Sequence, residues 1–234
     1  MGGHADAEAF STELAALKRD GCNVLVVSDA EGRDAACERL LGAPELDRRH
    51  VFLETAADVS TVLDRHSPRR TDASTLGVVD ATPATGARSA AAAPQSGGAG
   101  APLGEWYERV EDRTDFAALT TAVTDAFDRV AAAADTPSEV RLCVDGLDPF
   151  FDAVRSGDTT EERLFRFLHL LTSAVREDDG MGHFHVSASA DDALLATVEP
   201  LFDATLSVET GAEGTVRQRW RLHDSGRVTD WFAF

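Results

Sequence analysis

The residues equipped for chemistry gather where apolar runs end. "NVLVVSDAEGRDAACERLLG" (residues 23–42) passes from a short apolar strand through Ser28, Asp29, Glu31 and Gly32 into a helix. "RRHVFLET" closes on Glu54 and Thr55, "STLGVVDAT" reaches Asp80, and "EVRLCVDGLDPFF" carries Asp145 and Asp148. In an open parallel sheet, ligands bind beyond the carboxyl ends of the strands, where these residues fall. A strand that turns directly into a helix also presents free N–H groups and a positive dipole end, which suit a phosphate.

The first junction is the strictest test of that chemistry. A phosphate cradle reads G-x-x-x-x-G-K-[ST]: glycines let the backbone curl, the lysine neutralises phosphate, and the hydroxyl holds Mg²⁺. "SDAEGRD" (residues 28–34) has one glycine, no lysine and no hydroxyl after Gly32. Lys18 is the only lysine of the chain and precedes the strand. Arg33 is the one cation in place to substitute for it. Asp29, Glu31 and Asp34 surround it, and without Mg²⁺ they repel a triphosphate. Tight nucleotide binding is therefore not expected, and no other cofactor is implied.

The remaining candidates are weaker. "GMGHFHV" puts His183 and His185 on one face of a strand. Such a pair can ligate zinc, but a site needs a third ligand, and the neighbouring sequence supplies neither Cys nor acid. Cys22, Cys37 and Cys143 lie far apart with no C-x-x-C pair, and read as buried thiols of a reducing cytoplasm. A structural histidine pair and no metal centre are expected. No G-x-S-x-G turn or H-E-x-x-H helix is present, and Ser28 has no base close to it in sequence. Arg217, Arg219 and Arg221 alternate with Val216, Gln218, Trp220 and Leu222, forming a basic cluster. It reads as an edge strand protected by charge, or as a docking surface for an acidic partner.

Positioning these residues requires alternating strands and helices, and the patterning supplies them. "AEAFSTELAALKRDG" is an amphipathic helix with Phe10, Leu14 and Leu17 on one face. Strands follow at "CNVLVVSD", "RRHVFLET", "STLGVVDAT", "EVRLCVDGL" and "GHFHVSAS", then "DATLSVETG" and a closing ribbon. Between them lie helices at "GRDAACERLLG", "DVSTVLDRHS", "TDFAALTTAVTDAFDRVAAAAD", "TTEERLFRFLHLLTSAVREDDG" and "DDALLATVEPLF". Thr159 and Glu162 fit a capping box at the longest of them. Residues 83–104 are almost wholly Ala, Gly, Ser and Pro and read as a flexible loop inserted within one domain spanning 1–234. Five βα units followed by antiparallel strands predict an α/β fold, a mostly parallel sheet with helices on both faces.

Charge narrows the function classes. The 41 acidic residues against 22 basic ones give −19 at pH 7. That balance disfavours sequence-independent nucleic-acid binding and anionic membrane surfaces. No apolar run approaches the ~20 residues of a membrane span. A carboxylate-rich, lysine-poor surface stays hydrated in concentrated salt, where a Debye length of about 3 Å at 1 M screens its self-repulsion. The composition resembles cytoplasmic proteins of salt-accumulating haloarchaea.

Taken in order, the segments resemble the RecA/KaiC-like branch of P-loop ATPases. "LKRDGCNVLVVS", the strand ending in Glu54, "VRLCVDGLDPFF", "LFRFLHLLTSAVR", "FHV" and "PLFDATLSVE" follow the order of that family's parts. The resemblance implies that Asp145 matches the Mg²⁺-coordinating aspartate and Glu54 the water-activating glutamate. It also implies a vestigial site around Ser28, Arg33, Glu54 and Asp145, because the phosphate loop is missing. The chain is similar as well to small haloarchaeal proteins, some labelled transducer-like, that share the "LKRxGCN" opening and the "FRFLHxLT" and "MGHxH" segments.

The expectation is a cytoplasmic, non-catalytic regulatory or scaffold protein working through protein–protein contacts, with homo-oligomerisation open. The alternative is an ATPase or switch with a non-standard phosphate loop. The composition makes one direct prediction. Circular dichroism should record a Tm that rises from low to molar KCl, and a salt-independent Tm refutes the halophilic reading.

Overall fold

Seven-residue β1 (Cys22–Ser28) is the buried middle of the structure, a computed structural model that describes residues 2–43, 46–56, 59, 61, 72–83, 104–190, 192–211 and 214–234. Its run of Val and Leu suits a strand covered on both faces. The other strands are β2 (Arg49–Glu54), β3 (Leu76–Asp80), β4 (Tyr107–Arg109), β5 (Val140–Val144), β6 (Met181–Ser187), β7 (Ala204–Thr210), β8 (Val216–Leu222) and β9 (Phe232–Ala233). They form one sheet in the order β4-β3-β2-β5-β6-β1-β7-β8-β9. All neighbours from β4 to β7 run parallel, while β7–β8 and β8–β9 are antiparallel.

The expected α/β architecture is present, with differences of detail. The strand "DATLSVETG" pairs parallel with β1 on one side and antiparallel with β8 on the other, so it joins the parallel set to the ribbon. Helix α6 (Asp192–Val198) and the turn Glu199–Leu201 carry the chain back across β1, so β7 enters in the same direction. Strands β4 and β9 are three and two residues long, too short for any periodicity to announce them. The helix read at "DVSTVLDRHS" and the loop at 83–104 lie outside the described residues, except for Val59, Thr61, Pro83 and Gly104.

Helices α1 (Gly2–Arg19) and α2 (Ala30–Leu41) cover one face, and α3 (Phe116–Ala131), α4 (Asp148–Ser156), α5 (Glu161–Glu177) and α6 the other. Under α3 and α5, Leu25, Leu53, Val79, Leu142, Val144 and Phe184 meet the stripe Phe116, Leu119, Val123 and Phe127. Phe116 and Phe167 stack at 4.8 Å with their planes 7° apart, and Phe150 packs edge-on against both. On the opposite face, Phe10, Leu14 and Leu17 pack against Val24, Val26 and Trp220.

Two helix starts differ from expectation. Thr160, not Thr159, caps α5, its hydroxyl accepting from Arg163 N at 3.3 Å. Thr159 instead donates its N–H to Ala153 O, as part of the turn that ends α4. Helix α2 begins two residues earlier than read, at Ala30. Beneath α5, Gly182 gives Asn23 room on the adjacent strand, and Asn23 Nδ2 donates to Thr172 O at 2.9 Å. No helix among the described residues is long and apolar enough to cross a membrane.

The aromatic stack sets a test of the core. Phe167→Ala should cost about 3–5 kcal/mol in urea unfolding. Phe165→Ala, two residues away on the exposed face, should cost about 0.5 kcal/mol or less. Equal costs contradict this packing.

Candidate functional site

Strand β2 leaves toward β3 and strand β5 toward β6, so connections diverge at this pair of neighbours. A crevice of about 330 Å³ opens at these carboxyl ends, lined by Ser28, Ala30, Arg33, Asp34, Ala56, Asp145 and Ser187. The structure therefore brings Ser28, Arg33 and Asp145 together. Glu54 does not line the crevice and is fully buried at the end of β2.

The crevice floor is built from internal bonds. Asp145 Oδ1 accepts from Thr55 N at 2.7 Å, and Oδ2 from Ala56 N at 3.0 Å. Thr55 Oγ1 lies 2.7 Å from Asp145 Oδ1 and 2.8 Å from Gly146 O. Arg33 faces Asp148 at 3.8 Å, and Asp148 Oδ2 accepts from Ser187 N at 3.0 Å. Ser28 Oγ is buried without a hydrogen-bond partner. Asp80, the remaining strand-end carboxylate, is engaged away from the crevice by Tyr107 Oη at 2.8 Å and Arg109 Nη1 at 2.7 Å. Burial opposes its charge, yet these bonds and those from Thr82 hold its pKa below the usual value. Burial, reinforced by the Asp80 charge, pushes Tyr107 up to about 12.

The stretch read as a loop at residues 28–34 is almost entirely helix. Strand β1 ends at Ser28, α2 starts at Ala30, and Asp29 alone joins them. Asp29 Oδ1 accepts from Gly32 N at 2.6 Å as the N-cap, and Oδ2 accepts from Thr210 N at 2.8 Å on β7. The Gly32 bond, then the Thr210 bond, hold the Asp29 carboxyl below its usual pKa. Gly32 is helical: a Cβ there would come within 2.9 Å of both Asp29 Oδ1 and Val208 Cγ1. Its role is close packing of α2 on β7.

The fold also joins residues that looked unrelated in sequence. Cys37 on α2, Cys143 on β5 and His183 and His185 on β6 place their ligand atoms within 4.8 Å of one another, all buried. The histidine pair thus has cysteine neighbours after all. Sequence spacing concealed them because Cys37 and Cys143 are 106 residues apart and meet only when α2 lies across the sheet. Burial keeps the His183 pKa below its usual value, favouring the neutral ring. The bond from Cys143 makes Cys37 the readier of the two thiols to ionise. Cys22 lies apart among α1 and β7 side chains, its thiol pushed by burial to about 12.

The three arginines lie on the exposed face of β8, which is an interior strand because β9 pairs beyond it. Arg217 pairs with Glu209 and Arg221 with Glu199. The guanidinium groups of Arg217 and Arg219 sit 5.8 and 5.1 Å from the centre of the Trp231 ring.

The model of a family of unknown function, DUF7504, matches residues 21–208, and the chain belongs to that family. No curated protein matches the chain. Among solved structures it is similar to a KaiC-like protein, PH0186, of the hyperthermophilic archaeon Pyrococcus horikoshii OT3. The TM-score is 0.57 at 10% identity, over 92% of this chain and 85% of that one. The fold is thus KaiC-like.

Asp29 provides the test of the junction. Asp29→Ala should destabilise the protein by about 0.5–2 kcal/mol through loss of the cap. Because the folded pKa is depressed, the contribution is in place above the unfolded value of about 3.9 and is lost as pH falls through the lower folded value. The gap between wild type and variant should therefore be constant near neutrality and close below about pH 4. A gap that persists in acid shows that the carboxylate is not its source.

Proposed function

We propose that this member of the DUF7504 family is a non-catalytic, KaiC-like regulatory or scaffold protein of a halophilic cytoplasm. It acts through protein–protein contacts, in signalling, motility or cell-shape control. The observation that carries this reading is the one-residue passage from β1 to α2. A phosphate cradle needs a run of backbone N–H groups curled around the anion. Here Asp29 places a carboxylate at that helix N-terminus, where it accepts from Gly32 N.

The crevice supports the same reading. Asp145 is engaged by Thr55 and Ala56, and Arg33 faces the carboxylate of Asp148. No lysine is in reach, since Lys18 precedes β1. The partner surface is proposed on the arginines of β8, whose salt-bridged but exposed guanidinium groups can exchange Glu209 and Glu199 for a partner's carboxylates. Such exposed pairs cost little to exchange.

A second reading has one observation in its favour. The crevice holds about 330 Å³, with the unpartnered Ser28 hydroxyl and Arg33 at its edge. That leaves a nucleotide-dependent switch with a non-standard loop as the alternative.

Calorimetry with Mg-ATP in molar KCl separates the two. No binding heat and no phosphate release are expected. Micromolar affinity overturns the scaffold reading, and loss of that affinity in Asp145→Asn would assign the nucleotide to this crevice.

A further inference from the structure

We propose that Cys37, Cys143, His183 and His185 form a closed, tetrahedral site for a zinc-class transition-metal ion that fastens α2 to β5 and β6. The proposal is independent of the function proposed above.

The distances suit such an ion. Cys37 Sγ lies 3.6 Å from Cys143 Sγ and 3.9 Å from His183 Nε2, and the four ligand atoms lie within 4.8 Å of one another. Zinc bonds of about 2.3 Å to sulfur and 2.0–2.1 Å to nitrogen, set tetrahedrally, separate ligand atoms by about 3.3–3.8 Å. Closing on the ion requires movement of about an ångström or less.

Donor chemistry narrows the choice of metal. Two thiolates and two imidazoles favour zinc over the oxygen-seeking Mg²⁺ and Ca²⁺. Binding displaces one proton from each thiol to solvent, so a divalent ion with two thiolates and two neutral imidazoles carries no net charge. A neutral centre is the one that can be buried without an uncompensated ion.

Burial supplies the independent observation. The four residues are 0–1% exposed. Neither ring nitrogen of His185 has a hydrogen-bond partner, and Nδ1 of His183 has none. A buried imidazole left in that state loses its hydration with nothing in return, and a metal bond restores a partner. The two rings stand 5.2 Å apart at 83°, so neither stacks on the other.

The placement explains why the ligands come from where they do. Cys143 and His183 are register partners on adjacent strands, and His185 follows on the same face. Cys37 descends from α2 within an apolar surround that includes Leu41, Phe52 and Val78. All four positions of the ion are filled by protein, which marks a structural rather than a catalytic centre. Asp145 follows Cys143 by two residues on the same face, so the ion lies directly beneath the strand-end crevice. Loading it would set how α2 sits over that crevice.

The test uses the full chain, reduced, in molar salt. After dialysis against a weak chelator, elemental analysis should find one zinc per chain. Exchange with Co²⁺ should give the intense visible bands of tetrahedral cobalt and thiolate charge transfer in the near ultraviolet. Stripping the metal should lower Tm. Cys37→Ser and His185→Asn should each weaken metal binding by about tenfold or more. Cys22→Ala should leave it unchanged. Should the ligand variants fail to fold, the stoichiometry and the cobalt spectrum of the wild type decide alone. A folded, reduced wild type with neither bound zinc nor a cobalt spectrum refutes the proposal. So does a spectrum that survives Cys37→Ser, or a metal-free protein in which two of the three thiols have joined as a disulfide.

Discussion

Asp29 is the constraint from which the site follows. It ends β1 and caps α2 within one residue, while its second oxygen ties that junction to β7 through Thr210 N. A helix begun so abruptly has no freedom to tilt away from the sheet, and Gly32 lets it lie close against Val208. The positive end of the α2 dipole is met by a carboxylate belonging to the chain itself. Whatever the crevice receives must be compatible with an N-terminus where a carboxylate already accepts from Gly32 N.

The same helix organises the sheet face beneath it. Parallel strands buried on both sides ordinarily carry apolar side chains, and the face under α3 and α5 is mostly of that kind, with Asn23 donating to Thr172 O. Under α2 the file is mixed: Cys143 on β5 and Asp145 just past its end, His183 and His185 on β6, Glu54 on β2. Each polar group there must find a partner within the protein or lose its hydration without return. Asp145 finds Thr55 and Ala56; Cys37 Sγ meets Cys143 Sγ and His183 Nε2, while the ring nitrogens of His185 find no hydrogen-bond partner. The polarity of this face sets it apart from a merely structural core.

Legibility in the sequence tracks how local each feature is. The stripe of Phe116, Leu119, Val123 and Phe127 could be read because helical periodicity is short-ranged, and all four are buried. Strand ends at Glu54, Asp80 and Asp145 were equally plain, since an apolar run followed by an acid needs only a handful of residues. The start of α2 was misjudged by two residues because Asp29, Glu31 and Asp34 look like loop composition, whereas Asp29 is a cap. The direction of β7 could not be read at all, as parallel and antiparallel neighbours share one alternation pattern.

By itself the sequence determined an acidic, lysine-poor surface, the alternation of strands and helices, and the absence of a glycine-and-lysine phosphate cradle. These depend on residue types and on spacings of a few positions, which the chain carries in any conformation. Tertiary structure alone decided that Asp145 would be held by Thr55 and Ala56, and that the arginines of β8 would meet Glu209, Glu199 and Trp231. It alone brought Cys37 across 106 residues to Cys143 and across 146 to His183. The reason is physical: such encounters are fixed by strand order and by the helix laid over it, and no local pattern encodes which strands become neighbours.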